Sequence, residues 1–298
     1  MAKQDWQAIL DGIAAQVRPL TAQGRVATYI PALARVPSDQ FAMSLVTADG
    51  EEFAAGDADT PFSIQSVSKV FNLIFALDIV GDDLWRRVGR EPSGMGFNSL
   101  ILLEVEGGVP RNPLINAGAI ATTDAILEHR PDWRDEFLAK MQTLAQSQAA
   151  STDDEVFQSE RDHGDLNRAI AWYLKAKGNL RCDPTLVTET YFAACATAMS
   201  TRELARAGQC LVAASETADP ERLRRVRAIM RTCGLYDAAG DFAFRVGLPA
   251  KSGVGGGILA VEPGRYSVAV WSPALDEKGN SVAGVRALEL LTDAVPIS

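Results

Sequence analysis

Histidine is nearly absent from this 298-residue chain, which has only His129 and His163. A metal centre built on several histidines is excluded by count, and a Ser-His-Asp or Cys-His enzyme would have to use one of these two. Cysteine is sparse as well. Cys182, Cys195, Cys210 and Cys233 include no close-spaced pair, so scattered free thiols are expected rather than a zinc motif. The best apolar stretch, Val70 to Val80, is broken by Asn72 and Asp78 and is too short to span a membrane. The start, Met1-Ala2-Lys3-Gln4-Asp5-Trp6, lacks the basic-then-apolar layout of a signal peptide, which leads to the expectation of a cytoplasmic protein. Basic side chains number 29 against 38 acidic ones, a net charge of −9. That argues against nucleic acid as a partner and for a soluble protein with no membrane partner. With histidine so scarce, a hydrolase here would draw its base from Lys or Tyr.

Hydrophobic residues make up 47% and charged residues 22%, enough for one large domain or two interleaved subdomains. Trp6, Ile9, Leu10, Ile13 and Val17 recur at helical spacing. Phe41 to Thr47 and Glu52 to Ala55 flank Asp49-Gly50, a hairpin signal. The middle is mostly helical: Asn116 to His129, Trp133 to Ala149, Asp165 to Lys177, and a helix opened by Asp183-Pro184 and running through Met199. Ser200-Thr201-Arg202-Glu203 is a capping box, and Asp219-Pro220 opens a helix ending near Cys233-Gly234. Gly257 to Val261 and Tyr266 to Trp271 form a second hairpin around Pro263-Gly264. Lys278-Gly279-Asn280 is a turn, and Val282 to Val295 a last helix. A hairpin near each end, sharing one sheet, with helices between, predicts an α+β fold with a largely helical insertion.

The chemistry centres on Ser63-Ile64-Gln65-Ser66-Val67-Ser68-Lys69. Ser66 and Lys69, three apart at the head of an apolar run, share a face if that run is helical. A Lys can then take the hydroxyl proton of a Ser, as in acyl-transferring serine enzymes. Alone the pair is unspecific, because a surface Ser and a solvated Lys often fall at this spacing. Lys251-Ser252-Gly253, before the second hairpin, supplies support: such a motif lines the cleft edge where Ser-x-x-Lys enzymes recognise penicillin. A phosphate loop is excluded there, since no Gly-Lys-Ser/Thr ending and no helix follows.

At this point the chain resembles the serine-dependent glutaminases, which share the β-lactamase/DD-peptidase-like fold. The resemblance covers nearly the whole chain. It rests on Tyr29-Ile30-Pro31-Ala32-Leu33-Ala34, the Ser66 segment from Pro61, and Asn112-Pro113-Leu114-Ile115-Asn116-Ala117-Gly118-Ala119-Ile120. It continues through Ser159-Glu160, Gly164 to Ala169, Tyr191, Gly234-Leu235-Tyr236-Asp237 and Pro249 to Val254. It implies an antiparallel sheet with flanking helices, an α/β subdomain of residues 1–70 plus 235–298, and a helical one of 71–234. It implies Ser66 as nucleophile, Lys69 as base, and Tyr191 or Tyr236 as proton relay to leaving ammonia. Tyr29, Asn116, Glu160, Asn167, Tyr191, Tyr236 and Val254 would surround L-glutamine. Glu160 would meet the ammonium, neutral donors the carboxylate, and the N–H groups of Ser66 and Val254 the oxyanion. The ordinary reading of Asn116, Glu160 and Asn167 is helix capping near helix starts; that of each Tyr is half-buried core. No metal or organic cofactor is implied, and a homo-oligomer, dimer or tetramer, is expected. The rivals are a penicillin-recognising hydrolase or esterase of the same fold and a catalytically silent amino-acid sensor.

Overall fold

The structure, a computed structural model, describes residues 4–94, 99–212 and 219–297; Met1, Ala2 and Lys3 of the expected leaderless start lie outside them. Asp5 caps α1 (Trp6–Val17), its Oδ1 accepting from Ala8 N. The first hairpin follows, β1 (Ala42–Thr47) and β2 (Glu52–Gly56). Gly50 takes the left-handed φ of 88° that its tight turn demands. Next come β3 (Phe62–Ser63), a 3₁₀ turn over Gln65–Val67, α2 (Ser68–Ile79) and α3 (Leu100–Val105). The helical middle comprises α4 (Asn116–Leu127), α5 (Trp133–Ala145), β4 (Ser151–Thr152), α6 (Asp154–His163) and α7 (Asp165–Ala176). It continues with α8 (Pro184–Cys195), β5 (Thr197–Met199), α9 (Thr201–Gly208) and α10 (Pro220–Cys233). The chain closes with α11 (Ala239–Arg245), β6 (Ala250–Ser252), β7 (Gly257–Glu262), β8 (Tyr266–Trp271) and α12 (Val282–Ala294).

The main sheet is antiparallel in the order β2-β1-β8-β7-β6. The two hairpins meet along β1 and β8, Leu45 opposite Val268. Alternate side chains serve two cores. Met43, Leu45, Ile258, Ala260, Val268 and Val270 face α1 and α12. Ala42, Val46, Leu259, Val261, Ala269 and Trp271 face the helical block. Both faces are covered, so these strands read as continuous apolar runs instead of alternating ones. In the helical block, α4 is buried at every residue. Phe71 of α2, fully enclosed, is of the kind whose truncation to Ala costs about 3–5 kcal/mol.

A smaller sheet, β3-β5-β4, pairs Ser63 with Ala198 and Thr152 with Thr197. It ties the chain before Ser66 to the end of α8 and the start of α6. This sheet corrects two expectations. The helix from Pro184 stops at Cys195 instead of running through Met199, because Thr197–Met199 is drawn out as the central strand. The helix from Trp133 stops at Ala145, where Gln146 turns left-handed at φ 51°, leaving Ser151–Thr152 to join the sheet. The α6 helix has no counterpart in the sequence reading, and it places Glu160 in a last helical turn, not near a helix start. The capping box at Ser200 and Glu203 forms as expected, and all four cysteines are free.

Candidate active site

Ser66 does not begin the α-helix. It sits in the 3₁₀ turn before it, and Lys69 lies in the first turn of α2. Gln65 carries a left-handed φ of 48°, a conformation that a non-glycine residue holds only when its surroundings enforce it. Here they do. Gln65 Nε2 donates to Ser63 Oγ at 2.9 Å, and Ser63 Oγ donates to the carbonyl of Cys195 at 2.8 Å. The glycine loop after β6 lies against the same backbone. A Cβ on Gly253 would fall 2.6 Å from Ile64 O and 3.2 Å from Ser66 N, and one on Gly255 would fall 2.4 Å from Ser63 O. Those glycines let Val254, itself buried, pass close to the Ser66 N–H.

Lys69 is buried, and its Nζ donates to Asn116 Oδ1 at 2.6 Å. Burial lowers its pKa to about 8. Asn116 in turn donates to Asn167 Oδ1 at 2.9 Å. Local folding explains the position of Asn116. Asn112 Oδ1 accepts from the N–H groups of Leu114 and Ile115, so the Asn-Pro segment folds back on its own helix. Gly118 permits this, since a Cβ there would fall 1.9 Å from Asn112 O. Neither Asn116 nor Asn167 caps its helix; their carboxamides are turned to Lys69 and to each other.

Glu160 is buried, and burial pushes its carboxyl up to about 7 against the opposing pull of a Gln65 hydrogen bond and the Lys69 charge. Tyr191 is buried with its ring 5.7 Å from Lys69 Nζ, and burial raises its pKa; its hydroxyl meets the Cys195 thiol. Tyr236, at a left-handed φ of 52°, donates to Ser252 O at 3.2 Å and touches the Ser66 hydroxyl. Its pKa is pushed up to about 12, chiefly by burial. Tyr29 stands at the rim. The residue is 56% exposed, yet its hydroxyl end is crowded enough that burial raises its pKa, with Tyr236 and Glu160 adding to the effect.

All nine of the residues picked from the sequence therefore gather around one locus. Three more belong to it that the sequence reading leaves unassigned. Gln65 lies between Ser63 and Ser66, and only its backbone strain marks it. Cys195 follows Tyr191 by one helical turn. Lys251, seen as a motif without a role, is fully buried; its Nζ donates to Gly234 O at 3.0 Å and Ser252 O at 2.5 Å. Burial, then the Lys69 charge, hold Lys251 well below its ordinary pKa. Among the described residues no cluster of His, Cys, Asp and Glu is placed to hold a metal ion. The arrangement offers a hydroxyl, two buried amines of lowered pKa, a glycine loop set against the Ser66 N–H and a carboxylate beside the Gln65 amide.

A five-stranded antiparallel sheet with a lysine on its edge strand, facing Ser-x-x-Lys at the head of a buried helix, defines the β-lactamase-like fold. The sequence model of the glutaminase family matches residues 24–298. A glutaminase of Methylobacterium sp. (strain 4-46) is 52% identical over 297 residues, 97% of this chain and 96% of its own. The solved structure of the probable glutaminase ybaS is 41% identical, with a TM-score of 0.92 over 98% of this chain and 97% of its own. A probable glutaminase from Bacillus subtilis, complexed with 6-diazo-5-oxo-L-norleucine, is 30% identical, with a TM-score of 0.87 over 100% and 98%. This chain belongs to the glutaminase family.

Proposed function

We propose that this protein hydrolyses L-glutamine to L-glutamate and ammonia through an acyl-enzyme on Ser66. The observation that carries the reading is Lys69, an enclosed amine lowered to about 8 and fixed by Asn116, one turn from Ser66. Neutral Lys69 takes the Ser66 proton, and Oγ bonds to the side-chain carbonyl carbon. The N–H groups of Ser66 and Val254 hold the oxyanion. The C–N bond breaks as ammonia takes a proton, relayed by Tyr191 or Tyr236. Water then attacks the ester, glutamate leaves, and Ser66 regains its proton. Glu160 meets the α-ammonium of glutamine. Lys69 occupies the Asn116 oxygen and Asn167 one of its N–H groups, so the other N–H, with Asn167 and Tyr191, is left for the α-carboxylate.

The reacting residues lie where the sheet-bearing subdomain (1–70 plus 235–298) meets the helical one (71–234). The protein works without metal or organic cofactor, as a cytoplasmic homo-oligomer, dimer or tetramer. Light scattering on the purified protein tests the assembly. The reading itself is tested by ammonia release from glutamine, asparagine and a simple ester, with nitrocefin as the control for a penicillin-recognising enzyme. Glutamine should be strongly preferred. Nitrocefin turnover without ammonia release, or glutamine binding without turnover, overturns it.

A further inference from the structure

The segment after β8 reads in the sequence as a turn and nothing more, yet it touches two parts of the site and the chain that leads into a third. Gly279, at φ 87°, lies against the first two: a Cβ there would fall 3.8 Å from the Tyr236 ring and 3.9 Å from Val254 Cγ1. Leu275 reaches the chain that leads into the third, exchanging backbone hydrogen bonds of 2.9 Å with Arg25, four residues before Tyr29. We propose that the Asp276–Asn280 turn is a positioning element that sets Val254 and Tyr236 from behind, with Asp276 the residue through which it acts. The proposal rests on the glutaminase reading, in which Val254 supplies an oxyanion N–H and Tyr236 touches the nucleophile.

The turn is stiff for a reason visible in its bonds. Asp276 Oδ1 accepts from the N–H groups of both Lys278 and Asn280 at 2.9 Å. Asp276 N donates to Asn280 O at 2.8 Å, and Gly279 N to Asp276 O at 3.1 Å. Four bonds within five residues leave Gly279 little freedom. Just behind, Asn280 is fully buried, and neither end of its carboxamide has a hydrogen-bond partner among the described residues; the Ser272 hydroxyl is in the same state. Buried polar groups left unpaired lower stability, and local departures of this kind are expected where function sets the geometry. Asp276 itself is exposed, so its truncation spares the core.

The experiment measures kcat and KM for glutamine, with the melting temperature, on wild type, Asp276→Ala, Asp276→Asn and Gly279→Ala. A displacement of about 1 Å at reacting groups can cost ~100-fold. Asp276→Ala should lose tenfold or more in kcat, with KM within about threefold, well below its melting temperature. Asp276→Asn keeps the acceptor oxygen and should return to within about threefold of wild type. Gly279→Ala, whose Cβ would meet Tyr236 and Val254 in ordinary contact but whose left-handed φ of 87° strains an alanine and shifts the turn, should also lose kcat. If Asp276→Ala keeps its kcat, or Asp276→Asn is as poor as Asp276→Ala, the proposal fails. Should Asp276→Ala not fold, a Gly279→Ala enzyme of wild-type kcat overturns it. Absence of ammonia release by wild type would instead sink the glutaminase reading.

Discussion

The wall that carries Ser66 is made largely of backbone, and the wall that carries Glu160 is made of side chains. On the first, Gln65 is strained, Gly253 and Gly255 permit approaches that no other residue would, and Lys251 is anchored to two carbonyls. On the second, Asn116 and Asn167 are linked by a side-chain hydrogen bond, Asn116 also accepts from Lys69 of the first wall, and Glu160 is reached through Gln65. The difference has a chemical basis. Charge that develops only in the transition state needs fixed dipoles, whereas an amino-acid head group needs ionised and neutral partners of suitable shape. Damage to the first wall should therefore appear in kcat, and damage to the second in KM, kcat/KM or pH dependence.

The largest effect is expected at Ser66. Ser66→Ala should lower kcat by ~10⁴-fold or more with the fold intact, because no other group can take the acyl chain. Near-normal ammonia release would remove Ser66 from the mechanism. Lys69→Arg comes next. Arg keeps the charge but cannot give up its proton at any working pH, so a loss of ~10³-fold or more is expected. If instead the Arg enzyme kept substantial activity, Lys69 would be an electrostatic fixture that belongs to the second wall. Gly253→Ala probes the backbone directly. Its Cβ, 2.6 Å from Ile64 O, must push Ile64 or Val254 aside, and a displaced oxyanion donor costs ~100-fold in kcat with little change in KM. A matching rise in KM would show that the loop also holds the head group.

On the second wall the effects are smaller. Glu160→Gln should lower kcat/KM for glutamine by ~30-fold, since losing one partner of a buried charge pair costs ~2 kcal/mol or more. A glutamine analogue lacking the α-amino group should lose far less. Equal losses on both substrates would place Glu160 outside recognition of the ammonium, and circular dichroism checks that α6 persists.

The two walls were also unequally legible in the sequence. Ser66, Lys69 and Lys251 fall in short motifs whose spacing follows from one helical turn and one strand edge. Both hairpins declared themselves through Asp49-Gly50 and Pro263-Gly264, because turn chemistry is local. The small sheet was not legible: Phe62–Ser63, Ser151–Thr152 and Thr197–Met199 are two or three residues long and are made strands only by partners far away in sequence. With that sheet went α6 and the environment of Glu160, which the sequence reading put near a helix start. The strain at Gln65 and the thiol beside Tyr191 depend on tertiary contacts, and no periodicity reports those.

The smallest and sharpest test is the pH profile, in which the two walls titrate separately. Lys69 acts as a base only when neutral, and burial lowers it to about 8. Glu160 meets an ammonium only when ionised, and burial raises it to about 7. Both must lose a proton in the free enzyme, so kcat/KM should rise with the second power of hydroxide below about 7 and the first power from there to about 8. The complex behaves differently. A bound α-ammonium keeps Glu160 ionised, so kcat should rise with the first power only, through Lys69. Glu160→Gln has no carboxyl to titrate, and its kcat/KM should therefore be first-order across the acid limb. The gap between variant and wild type should close by about tenfold for each pH unit lost on that limb, since one proton is involved. A wild-type kcat/KM of first order throughout, parallel to that of the variant, would mean that Glu160 is already ionised in the free enzyme or does not meet the ammonium. The substrate cycle on Glu160→Gln tells those two apart: a loss confined to substrates with an α-amino group leaves recognition in place and removes only the raised pKa.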